Sequence, residues 1–225
     1  RIIMMRGNHD YVNPGCPFFR FVEAMPGFEW INDPSVLEIE GTNCLFLPHT
    51  RDYKADWGDM GNAHAARADI IFAHNTFAGT VSESGFELSG IPTSVFPKEA
   101  VVWSGDIHMP QTVGCVEYVG APYTIDFGDT YKPRVVLLKD GESRSIPCTG
   151  TQKRLITATD PAQALARLLT AKNDIVKLRV AVATEDRDKW PTIKRELMDE
   201  AIRMGVRLHA IEPILEQPVA GKRYR

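Results

Sequence analysis

The stretch Arg6-Gly7-Asn8-His9-Asp10 sets an amide, an imidazole and a carboxylate on consecutive residues, directly after the apolar run Ile2–Met5. Two further apolar runs end in the same kind of residue. The segment ADIIFAHNTF ends at His74, and AVVWSGDIHMPQ ends at Asp106 and His108. Amide and carboxylate oxygens with imidazole nitrogens form a mixed donor set. Such a set suits Mn²⁺, Fe²⁺ or Zn²⁺ better than Ca²⁺, and the lack of cysteine among these residues disfavours a soft-metal site. Taken singly, each signal is ordinary, because a Gly-Asn turn is common and a histidine after a strand is usually a satisfied polar residue. Together they carry weight, since strand ends of one sheet converge on one region. Asp106 and His108 lie two apart and are expected to project to the same side of an extended stretch.

The elements that must position these residues are short. Strands are expected at Ile2–Met5, Val36–Ile39, Cys44–Leu47, Ile70–Ala73, Val101–Ser104, Thr112–Tyr118 and Arg134–Leu138. Phe18, Phe21, Val22 and Met25 at helical spacing predict a short helix over Pro17–Met25. Gly and Pro punctuate the junctions. Many short strands with few helices predict an α/β fold (α+β), a β-sandwich flanked by helices. Beyond a polar boundary at Pro147–Lys153 the pattern changes. A strand at Arg154–Thr157 leads to Asp160-Pro161, a helix cap and first turn, with Ala162, Leu165 and Leu169 on one face. A strand at Ile175–Ala183 follows, then a helix from Pro191 with Ile193, Leu197, Ala201 and Met204 inward, stopped by Gly205. Val206–Ile211 closes a β-α-β-α-β unit. The expected domains are therefore residues 1–150 and 151–225.

Charge divides along the same line. Residues 1–150 hold 11 basic and 19 acidic residues, a net −8, whereas 151–225 hold 15 and 10, a net +5. An acidic first part suits cations and a basic second part suits a polyanion. Lys194 and Arg195 fall on the outer face of the second helix, opposite Ile193 and Leu197, where a solvated surface is the default and a phosphate contact the sharper option. Cys16, Cys44, Cys115 and Cys148 form no C-x-x-C pair, which favours reduced thiols in a cytoplasmic protein. No run reaches the roughly 18 apolar residues of a membrane span. The chain starts at Arg1 rather than Met, as a piece of a longer protein would. Other polar and aromatic residues have bland defaults. His49 in FLPHTRDY is read as an ordinary loop residue, with a substrate contact as the sharper option, His64 opens a short surface helix, and His209 is a structural residue in a strand. Trp57, Trp103 and Trp190 are read as packing rather than base stacking.

The order G-N-H-D, then a strand-terminal His, then G-x-x-H resembles the calcineurin-like metallophosphoesterases, and within them the SbcD-like DNA repair nucleases. YVGAPYTIDFGD after the last motif and the β-α-β-α-β tail are similar to elements of that branch, the tail to its DNA-facing cap. The resemblance implies two divalent metals, Mn²⁺ first, with Mg²⁺, Fe²⁺ or Zn²⁺ as alternatives. It implies that Asn8 and His74 bind one metal with Asp106 beside them, and that His108 binds the other. His9 then protonates or stabilises the leaving oxygen and Asp10 orients His9. Two departures stand out. The Asp-x-His and Gly-Asp strands that open the family pattern do not precede residue 1, so half of a site is expected. Asp106 stands where the family has His, which makes the site harder and more anionic.

The leading expectation is a metal-dependent exonuclease or endonuclease that hydrolyses DNA phosphodiester bonds. Its implied partners are DNA, an SMC-like ATPase of the SbcC type and a second copy of the chain. A phosphoesterase of small phosphodiesters or phosphoproteins is the alternative. A non-catalytic DNA-binding scaffold is the third.

Overall fold

The computed structural model describes residues 1–13, 15–58 and 64–215. The chain is mixed α/β with few helices and folds as two compact units. The first comprises residues 1–122 and 133–147, the second residues 123–132 and 148–225.

The first unit is organised by a six-stranded mixed sheet. Its strands are β3 (Ser35–Ile39), β4 (Thr42–Leu47), β5 (Ile70–Ala73), β6 (Val102–Ser104), β7 (Gln111–Val113) and β8 (Val116–Tyr118), in the order β3-β4-β5-β6-β8-β7. β4, β5, β6 and β8 run parallel, while β3 and β7 close the edges antiparallel. Parallel strands buried on both faces read as continuous apolar runs. That is why Cys44-Leu45-Phe46-Leu47 is buried without alternation. On one face, Cys44 and Phe46 pack with Ile31, Ile3 and Met5. The latter belong to the parallel pair β1 (Ile2–Met5) and β2 (Phe28–Ile31). A hairpin of β9 (Arg134–Lys139) and β10 (Glu142–Pro147) completes the strands of this unit.

On the other face, Leu45, Leu47, Ile71, Val102 and Val116 pack against Trp57, Phe77, Ile91 and Phe96. The cover expected there was helical. The described residues supply instead a single turn, α1 (Tyr53–Asp56), a 3₁₀ turn at Thr93–Val95 and irregular chain. A loop buried against a sheet must satisfy its backbone, and Tyr118 does so. Its buried hydroxyl accepts from the Phe77 amide (2.8 Å) and donates to the Asn75 carbonyl (3.1 Å). Tyr118→Phe is expected to cost about 1–3 kcal/mol, because the Phe77 N–H then stays buried and unpaired; the midpoint of urea unfolding measures it.

Three segments of this unit differ from the expected elements. Pro17–Met25 forms only a 3₁₀ turn, Arg20–Ala24, with Val22 as its buried residue. Phe18, Phe21 and Met25 are exposed, so no apolar face exists to hold a longer helix. Thr112–Tyr118 is a hairpin rather than one strand, broken at Gly114, whose φ of +58° turns the chain. His64 is exposed in a turn, not at the start of a helix.

The second unit is a three-stranded parallel sheet, β11 (Lys153–Ala158), β12 (Ile175–Val182) and β13 (Arg207–Leu215), joined by α2 (Pro161–Leu168) and α3 (Trp190–Arg203). Asp160 caps α2 by accepting from the Gln163 amide (2.8 Å), and Pro161 fills the first turn. Val176, Leu178 and Val180 of β12 pack with Leu168, Leu197 and Ala201, and Val182 on the same face is buried too. The buried stripe of α2 is Ala164 and Leu168. Ala162 and Leu169, expected on the inner face, are exposed because they lie off that stripe. Gly205, with φ of +72°, ends the α3 segment. Residues 123–132 join this unit through Thr124, whose amide donates to Gln152 Oε1 (2.9 Å). Among the described residues, no helix is long and apolar enough to cross a membrane.

Candidate metal centre

The ends of β1, β5 and β6 deliver Asn8, His74 and Asp106 to one place. Asn8 Nδ2 donates to Asp106 Oδ1 at 2.8 Å, and Asn8 Oδ1 faces His74 Nε2 at 3.4 Å. The two bonds orient the amide, nitrogen to the carboxylate and oxygen to the imidazole. The other carboxylate oxygen, Asp106 Oδ2, accepts from the Thr76 hydroxyl at 2.6 Å.

Glycines make this convergence possible. A Cβ on Gly7 would lie 2.8 Å from His74 Nε2, and one on Gly105 would lie 2.6 Å from His74 Nδ1. The His74 ring is therefore wedged between two stretches of bare backbone. Asp10 closes the Gly7–Asp10 turn, since its Oδ2 accepts from the Gly7 amide at 2.7 Å. That contact fixes the loop rather than His9. His9 is exposed and makes no side-chain hydrogen bond among the described residues.

The backbone at Asp106 has φ of +78°, in the left-handed region that Asp tolerates better than most residues. The extended geometry expected from Asp106 to His108 is thus replaced by a bend, and the two side chains have different partners. Asp106 joins Asn8, whereas His108 Nδ1 lies 3.3 Å from Glu83 Oε1.

An apolar pocket of about 220 Å³ adjoins the cluster, lined by Met5, Phe72, His74, Trp103, Gly105 and Leu138 among others. Burial pushes the His74 imidazole below its ordinary pKa, against the pull of Asp106 and Asp10 and with a small push from His9. The ring is therefore neutral at pH 7. Burial lowers His49 as well, opposed by Asp106 and reinforced by His74, Arg6 and Arg51. Their stabilising contribution is complete above an unfolded-state pKa of about 6.5 and is lost as pH falls below it, because the unfolded state then takes up protons that the folded state refuses. In chelator-containing buffer the free energy of unfolding is expected to fall between pH 7 and 5, and His49→Gln to flatten that slope.

A neutral imidazole nitrogen, an amide oxygen and a carboxylate match the donor types that Mn²⁺ or Mg²⁺ with one nitrogen ligand accepts. Asn8, His74 and Asp106 would hold such an ion. They do not fill a coordination sphere, and among the described residues no three His, Cys, Asp or Glu side chains gather as a metal-binding group.

No family model matches the chain, and no curated protein matches it either.

Three participants, Thr76, Arg6 and Tyr11, are not among the residues the sequence singles out. Thr76 sits two residues beyond His74 on the same strand exit, a spacing that would have suggested it. Arg6, Tyr11 and His49 form a clamp that only the sheet order reveals. The His49 amide donates to the Arg6 carbonyl (3.0 Å), and the Arg6 guanidinium donates back to the His49 carbonyl (2.9 Å). That guanidinium also lies over the Tyr11 ring, 4.6 Å from its centroid. Elsewhere, Trp57 and Trp103 are buried and Trp190 packs in the second core. Lys194 and Arg195 are exposed on α3, and His209 stacks on Phe127 with centroids 4.8 Å apart.

Proposed function

We propose that this chain is a metal-dependent phosphodiesterase acting on DNA, as its motif order resembles that of the SbcD-like metallophosphoesterases. The observation that carries the reading is the contact of Asn8, His74 and Asp106, three residues from three strand ends. When bound, a pair of divalent cations supplies an activated water and neutralises charge building on the phosphoryl oxygens.

The residues of this chain do the rest. His74 faces Asn8 Oδ1 through Nε2 and would offer the lone pair of that nitrogen to a metal once the ring hydrogen stands on Nδ1; the Gly7 and Gly105 backbones fix where it points. Asn8 offers its carbonyl oxygen because its amide nitrogen is committed to Asp106. Thr76 holds the second oxygen of that carboxylate. His9, exposed beside the cluster, is free to donate a proton to the departing oxygen. The basic residues of the second unit, Lys194 and Arg195 among them, supply sequence-independent attraction for the phosphate backbone. An SMC-like ATPase is the protein partner that the same resemblance proposes.

The test is hydrolysis of linear duplex DNA by the full protein with Mn²⁺ and with chelator. Metal-dependent fragmentation supports the reading. Turnover of a small aryl phosphodiester without action on DNA would favour a small-substrate enzyme. DNA binding with neither activity would leave a scaffold.

A further inference from the structure

His49 follows β4, two residues past its end, and β4 is the parallel neighbour of β5. Its imidazole therefore leaves the sheet beside that of His74. The two rings meet edge to face, with centroids 6.5 Å apart. His49 is held from three directions. Both of its backbone polar groups bond to Arg6, and its Nδ1 lies 2.8 Å from the Tyr11 hydroxyl. Its Nε2 has no hydrogen-bond partner among the described residues.

The tautomer follows from the stack behind it. The Arg6 guanidinium is buried and has no carboxylate partner among the described residues. It rests on the face of Tyr11. A cation against the ring makes the phenol a better donor, so the O–H points to Nδ1 and the ring hydrogen sits on Nε2. The chain Arg6–Tyr11–His49 thus ends in one N–H on the ring that meets His74 edge to face. With the ring hydrogen on Nε2 that nitrogen has no lone pair for a metal. It is a hydrogen-bond donor suited to an anion.

We propose that His49 is a substrate-contacting residue, donating Nε2–H to a non-bridging oxygen of the phosphoryl group held at Asn8, His74 and Asp106. The proposal rests on the phosphodiesterase reading for its substrate, but its ligand chemistry is phosphate itself. Tyr11 is then a positioning residue, acting through His49. Because the backbone of His49 makes the clamp to Arg6, side-chain variants keep the fold.

The experiment uses the full protein labelled with ¹⁵N-histidine, with Mg²⁺ present and inorganic phosphate as the probe. The His49 Nε2 signal is expected in its protonated form and to move as phosphate is added. His49→Ala is expected to weaken phosphate binding roughly tenfold or more, a typical loss for a hydrogen bond to a charged group. His49→Gln, which keeps an N–H donor, should recover part of it, and Tyr11→Phe should fall between. If hydrolysis is detected, His49→Ala should raise KM more than it lowers kcat, because the contact exists before the reaction. An Nε2 signal unmoved by saturating phosphate overturns the proposal, as does wild-type phosphate affinity in His49→Ala. A protein that binds phosphate through His49 yet cleaves no phosphodiester would keep this site and remove the proposed function.

Discussion

Replacing His9 with Ala is expected to lower kcat for DNA hydrolysis by roughly 10²–10⁴, the usual contribution of a general acid, while DNA affinity changes by less than about twofold. The separation follows from where His9 stands. It is exposed and makes no side-chain hydrogen bond among the described residues, so its loss removes no structural contact. The Gly7–Asp10 turn survives, because Asp10 holds it through the Gly7 amide. Asn8 keeps its bonds to Asp106 and His74. Single-turnover rates and fluorescence anisotropy on the same duplex measure the two quantities. An unchanged rate would remove His9 from the chemistry. A matching loss of affinity would make it a binding residue instead.

The parts of the molecule that were legible are those in which one local rule dominates. Ile70–Ala73 is an uninterrupted apolar run and becomes a buried parallel strand with the predicted ends. Asp160-Pro161 starts a helix because cap and first turn are chemical facts of those two residues. Pro17–Met25 misled because helical spacing of Phe18, Phe21 and Met25 says nothing about whether a surface exists to bury them. The strands Phe28–Ile31 and Glu142–Pro147 went unseen for a related reason. The first, FEWI, has its apolar run interrupted by Glu29, and the second is almost wholly exposed, with no apolar alternation to read. At the site, Asn8, His74 and Asp106 could be read because each follows an apolar run. The Arg6–Tyr11–His49 clamp could not, since it depends on β1 exiting near β4, two elements about forty residues apart. The bend at Asp106 was also hidden, because the sequence G-D-I-H permits both an extended and a left-handed backbone.

Gly105→Ala is the most informative single change, since it adds one methyl group where the ring of His74 has no room to yield. The new Cβ would lie 2.6 Å from Nδ1, well inside contact distance. The backbone cannot give way easily, because the Gly105 amide donates to the Ala73 carbonyl at 3.0 Å and so belongs to the extension of β5 and β6. Nor can the ring slide toward its other neighbour, as Gly7 closes that side. The ring must rotate, and its 3.4 Å approach to Asn8 Oδ1 is then lost. A displacement near 1 Å at a reacting centre costs on the order of 100-fold in rate, whereas overpacking by one methyl group costs only about 1–3 kcal/mol in stability. Activity is therefore expected to collapse in a protein that still folds. Gly128→Ala, where nothing lies within 4 Å of the added carbon, is the control and should behave as wild type. Kinetics paired with urea unfolding distinguish the outcomes. Full activity in Gly105→Ala would show that the position of His74 does not govern catalysis, and the three-strand convergence would lose its chemical meaning.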